Sequence, residues 1–172
     1  MVVVPQGREL RGMIVCITDQ AGQPGLMVLD VASDSSTVLA SADCSWRSVP
    51  AVAPSGERVA LQGADGRLKI VNVRADQTES IGEPISGLIT PRWSPGGSSV
   101  MYELDATTYV VSLDETLAQS TFVAAMAAWM GDGSQIAYVA DSTFHVMDTW
   151  TGEAVQLTDG PERIWGVAAS LD

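Results

Sequence analysis

Pro91-Arg92-Trp93-Ser94-Pro95-Gly96-Gly97, followed by Val100-Met101-Tyr102 and then Tyr109-Val110-Val111-Ser112-Leu113-Asp114, decides the architecture of this 172-residue chain. A short strand ends at Trp93. The Pro-Gly-Gly turn after it carries glycines that take the positive φ of a tight reversal. A second strand runs to about Glu103, the chain turns at Asp105-Ala106-Thr107, and a third strand follows. The stretch is an antiparallel meander.

Working outward, the same unit recurs. Pro95-Gly96-Gly97 has counterparts in Pro54-Ser55-Gly56 and Gly131-Asp132-Gly133, with final glycines 41 and 36 residues apart. Each is followed by a similar strand: Arg58-Val59-Ala60-Leu61, Ser99-Val100-Met101-Tyr102 and Gln135-Ile136-Ala137-Tyr138. Next comes a strand ending in a small polar residue: Ile70-Val71-Asn72, Val110-Val111-Ser112 and Val146-Met147-Asp148, with Val28-Leu29-Asp30 as an N-terminal fourth copy. These polar positions, 30, 72, 112 and 148, are 42, 40 and 36 residues apart. A period of about 40 residues with four short strands each belongs to β-propeller blades. The predicted class is therefore all-β: a propeller of four-stranded antiparallel blades, four per chain. Blade 1 spans about 12–47 plus 164–170, blade 2 48–87, blade 3 88–125 and blade 4 126–160, in one propeller domain or half-propeller over 1–172. First strands are expected at 48–53, 88–93 and 126–129, and outermost strands at 37–39, 78–81, 119–123 and 154–157.

The two ends are offset. Blade 1 lacks an obvious first strand, and Ile164-Trp165-Gly166-Val167-Ala168-Ala169-Ser170 reads as a first strand with nothing after it. Pairing the last strand with the first blade is how propellers close, so 164–170 is expected to complete blade 1. The alternative is the stretch Met1-Val2-Val3-Val4, which leaves 8–10 as an insertion. Propellers carry about 4–8 blades. Three arrangements stay open: a self-closed four-bladed ring, a homodimer completing an eight-bladed ring, or a segment of a longer propeller. Exposed edges of an open half-ring favour pairing, so a homodimer is expected.

Trp93-Ser94-Pro95-Gly96-Gly97 resembles the Trp-Ser-Pro-Asp-Gly signature of TolB-like, WD-type propeller repeats, with Gly96 in place of the aspartate. The segment from Gly12 to Gly22 is similar to that family's second strand and turn, and the segment from Thr151 to Gly160 to its last turn and strand. Val52-Ala53 and Met130-Gly131 depart from the signature. The resemblance implies a propeller. Its members include translocation factors and propeller domains of serine peptidases, so it implies either a binding module or an accessory domain restricting access to an enzyme.

Composition narrows the partners. Apolar residues make up 46% and charged residues 17%, with a net charge of -12 and a single lysine, Lys69. Such a surface repels nucleic-acid phosphates. No stretch approaches the roughly 20 apolar residues of a membrane span. The N-terminus lacks a basic region and a cleavage site, so no signal peptide is read, which points to the cytoplasm as written and the periplasm for a processed or excised domain. Cys16 and Cys44 are too few for a disulfide scaffold and are expected as buried or half-buried thiols.

No catalytic, cofactor-binding or metal-ligating residue is nominated, and no cofactor is expected. His145, the single histidine, has no identifiable partner acid or base and reads as structural. No Gly-x-Ser-x-Gly elbow, phosphate loop or calcium loop occurs, and Asp30 and Asp148 read as turn residues. Trp93, Trp129 and Trp165 fall in first strands, where packing between blades accounts for them. Trp46 and Trp150 fall in loops and are the candidate partner-binding residues, aromatics being enriched at interface hot spots. Even so, burial under a neighbouring loop is the commoner fate of a tryptophan. The expected function is a non-catalytic scaffold binding a protein or peptide through loops at one end of the ring.

Overall fold

The computed structural model describes residues 12–113, 119–159, 164 and 167–170. Its strands form four separate antiparallel sheets, each a meander in chain order. β1 (Met13–Gln20), β2 (Gln23–Asp30) and β3 (Ser35–Leu39) make the first. β4 (Ala51–Val52), β5 (Arg58–Gln62), β6 (Leu68–Asn72) and β7 (Gln77–Ile81) make the second. β8 (Arg92–Trp93), β9 (Ser99–Leu104), β10 (Thr107–Ser112) and β11 (Gln119–Val123) make the third. β12 (Ala125–Met130), β13 (Gln135–Ala140), β14 (Thr143–Asp148) and β15 (Ala154–Gln156) make the fourth. We letter the strands of each blade a to d in chain order, the first sheet beginning at b.

The three a–b turns explain why the repeat shows in the sequence. Gly56, Gly97 and Gly133 have φ of 73°, 73° and 92°, which residues with a Cβ rarely adopt. Their amides donate to Ala53 O at 2.9 Å, Ser94 O at 2.9 Å and Met130 O at 2.8 Å. Met130-Gly131 thus closes with the same hydrogen bond as Ser94-Pro95, although Gly131, at φ 50°, takes a conformation that proline cannot. The turns also nest: a Cβ on Gly97 would meet Pro54 Cδ at 3.6 Å, and one on Gly133 would meet Pro95 Cδ at 3.2 Å. The polar residues ending strand c open the next turn. Asn72 Oδ1 accepts from the amides of Arg74 and Ala75 at 3.0 Å, and Asp148 Oδ1 from Trp150 at 2.9 Å and Thr151 at 2.8 Å. Asp30 does the same for Ala32 and Ser33.

Strand a is shorter than expected in blades 2 and 3. It covers two residues in each, so Val49 and Leu88 lie in loops. Pro50 and Pro91 stand directly before the pairing segments, and proline has no N–H to donate to a ladder.

Three apolar clusters join neighbouring sheets. Leu26 and Leu39 of the first meet Val59, Leu61 and Val71 of the second. Ala60, Leu68 and Ile70 of the second meet Trp93, Val100 and Tyr102 of the third. Met101 and Val110 of the third meet Trp129, Ile136 and Met147 of the fourth. The indoles add directed bonds, Trp93 Nε1 donating to Ala51 O at 2.8 Å and Trp129 Nε1 to Arg92 O at 3.2 Å. Each links one strand a to the strand a before it.

No cluster joins the first sheet to the fourth, and the described residues do not form a closed ring. Of the expected C-terminal strand, Ile164 and residues 167–170 carry no strand pairing, and Trp165 and Gly166 lie outside the described residues. So do residues 1–11, which hold the alternative strand.

Candidate binding surface

In a four-stranded meander the a–b and c–d turns lie at one end of the blade, and the b–c turn and d–a loop at the other. Hydrogen bonds show both groupings. Val73 and Thr149, opening c–d turns, donate from N to Glu57 O at 3.0 Å and Ser134 O at 2.8 Å in a–b turns. Ser45, in a d–a loop, donates from N to Gln62 O at 3.3 Å, beside a b–c turn.

Trp46 sits in the d–a loop entering blade 2 and is 53% exposed. Trp150 sits in the c–d turn of blade 4 and is 95% exposed. Neither is covered by a loop, contrary to the common fate of tryptophan. They do, however, occupy opposite ends of the blades, so the expected single rim holding both does not exist. A c–d turn and a d–a loop are separated by the length of strand d, and sequence position alone hides this.

The end bearing Trp46 is the more developed. Val49 follows it in the same loop and Leu88 lies in the next d–a loop, both exposed. Gln62, at the end of β5 and 6% exposed, holds both loops. Its backbone carbonyl accepts from Ser45 N and from the Ser48 hydroxyl. Its side-chain Nε2 donates to Gly87 O at 2.7 Å, and its Oε1 accepts from Ile89 N at 3.4 Å. Gln62 was not singled out in the sequence. The signal was a polar residue closing the apolar run Val59-Ala60-Leu61.

Lys69 secures the same end. Its side chain is buried, and Nζ lies 2.9 Å from Asp65 Oδ2, 2.9 Å from Ser80 Oγ and 4.0 Å from Asp43 Oδ2. The hydrogen bond from Lys69 holds the Asp65 carboxyl below the usual carboxylate range. Gly63, bridged to Cys44, leaves no room for a side chain, since a Cβ would stand 2.3 Å from Lys69 Cε. Burial pushes the Cys44 thiol up, and Cys16 is half-buried, with neither cysteine in a disulfide.

Beside Leu88's loop, residues 82–86 overhang a cleft of ≈ 380 Å³. Tyr102 and Tyr109 stack along its wall with centroids 4.9 Å apart and planes 5° apart.

His145 is packed and bonded. It stacks on Tyr138 with centroids 5.1 Å apart, and Nε2 lies 2.7 Å from Thr143 Oγ1. It shares a face with Met147, as strand alternation requires. Among the described residues no group of three or more His, Cys, Asp or Glu could hold a metal ion. No helix of the described residues is long and apolar enough to cross a membrane.

No family model matches the chain, and no curated protein matches it. Solved structures do. The β-propeller domain of Cps50 (Swd1) from Myceliophteria thermophila is 17% identical with a TM-score of 0.58, over 86% of this chain and 57% of that one. TolB from Acinetobacter baumannii is 16% identical with a TM-score of 0.59, over 86% of this chain and 42% of that one. A chain of the mitotic checkpoint complex is 13% identical with a TM-score of 0.57, over 76% of this chain and 42% of that one. The chain has the β-propeller fold and spans about half the length of these propellers.

Proposed function

We propose that this chain is a non-catalytic propeller scaffold that binds a protein or peptide at the end where its b–c turns and d–a loops lie. One observation carries the reading: Gln62 fixes both loops that present Trp46, Val49 and Leu88 to solvent. Rigid presentation lowers the ordering entropy lost on binding, tryptophan is enriched at interface hot spots, and Val49 and Leu88 add apolar area beside it. Trp150, at the other end, is outside this surface. The reading keeps the TolB-like character of the repeat, the blade limits 12–47, 48–87, 88–125 and 126–160, and 164–170 as the missing strand a of a first blade.

The test is retention of binding proteins on immobilised chain. Trp46→Ala and Leu88→Ser should each weaken retention at unchanged melting temperature, while Trp150→Ala should leave it intact. Retention that depends on Trp150 and not on Trp46 places the surface at the opposite end.

A further inference from the structure

Among the described residues two sheet faces have no neighbour, and they match each other. In the fourth sheet Ala137 pairs with Val146 and Val146 with Val155, while Phe144 pairs with Val139. Leu157 N donates to Phe144 O at 2.7 Å, which continues the row. This face is turned away from Ile136, Tyr138 and Met147, which pack on the third sheet. In the first sheet Ile14 pairs with Leu29, Cys16 with Met27 and Met27 with Val38. That face is turned away from Val15, Ile17 and Val28, which pack toward the second sheet. Val155, Leu157, Ile14 and Val38 are exposed, four of the eight exposed large hydrophobics among the described residues.

The repeat says what covers them. Aligned through the turn glycines and the registers, Ala137, Phe144, Val146 and Leu157 occupy the positions of Ala60, Leu68, Ile70 and Ile81 in the second blade. Likewise Ile14, Cys16, Met27 and Leu29 occupy those of Val100, Tyr102, Tyr109 and Val111 in the third. Those two sets pack on each other where the second and third sheets meet. The free face of the fourth blade is therefore the preceding half of a blade–blade interface, and the free face of the first blade is the following half. Among the described residues no cluster brings them together.

We propose that they meet between two copies, the fourth blade of each on the first blade of the other, closing an eight-bladed ring through two equivalent head-to-tail contacts. Eight blades lie within the usual range, and the two faces are complementary by the same positions that seat the second blade on the third. The inference rests on the propeller reading and names a partner for surfaces distinct from the Trp46 end.

Exposed positions make the test clean, since charges placed there bury nothing in a single chain. Light scattering at tens of micromolar should give two chain masses, twice 18.1 kDa. The variants Leu157→Glu and Ile14→Glu, at the positions that match buried Ile81 and Val100, should each fall to one mass with unchanged circular dichroism. Mixed together, they should regain two-chain particles, because one of the two contacts then joins two unaltered faces. A single mass for the wild-type chain, an open-ended series of larger assemblies, or no recovery on mixing overturns the proposal. Retention of partners at the Trp46 end is read separately and is not affected by these outcomes.

Discussion

Trp93 shows how one residue serves two blades. Its indole N–H donates to Ala51 O, its ring packs in the cluster between the second and third sheets, and the Arg58 guanidinium lies 5.1 Å from the ring centroid. Trp93→Phe keeps an aromatic ring but loses the indole's hydrogen bond to the Ala51 carbonyl, so a loss of about 0.5–1.5 kcal/mol is expected in urea unfolding. Trp150→Ala, in contrast, removes a side chain that touches little and should change stability by less than about 0.5 kcal/mol. Asp65 gives a pH signature. Its folded carboxyl is held below the ordinary carboxylate value by the Lys69 hydrogen bond, so its contribution is present above about pH 3.9 and is lost as pH falls through the depressed folded value. Asp65→Asn should thus be less stable than wild type at pH 7, with the gap narrowing in acid-unfolding curves below about pH 4.

At the scale of the element, the a–b turn was legible and the d–a loop was not. Gly56, Gly97 and Gly133 are written into the sequence because a positive φ restricts the residue type, and the small polar ends of β2, β6 and β14 because they cap the following turn. The d–a loops are held by contacts distant in sequence. Nothing local marks Gln62 as the anchor of Gly87 and Ile89, and position within the repeat assigned Val49 and Leu88 to strands that Pro50 and Pro91 cut short. Gln62→Leu should therefore act beyond its own strand. It strips buried partners from the 85–89 loop, which should lower stability by about 1–3 kcal/mol. Limited proteolysis should then cut within 82–88 well before wild type is cut.

Over the whole molecule, periodicity revealed four blades because each repeats the same demands on turn and core. The relation between the two candidate tryptophans was invisible, since it depends on which turn types share an end. The closed or open state was equally invisible, because it turns on sheet faces that no single repeat specifies. The three clusters have a further consequence. Each joins only two adjacent sheets, so stability is a chain of nearest-neighbour couplings, and damage should spread no farther than the coupling it weakens. Leu26→Ala, at the first coupling, is expected to remove about 2–5 kcal/mol there. Native-state hydrogen exchange should show β1 and β2 losing protection while β13 and β14 keep theirs. Unfolding would then begin where that one coupling is weakened and proceed in stages, in place of one melting event.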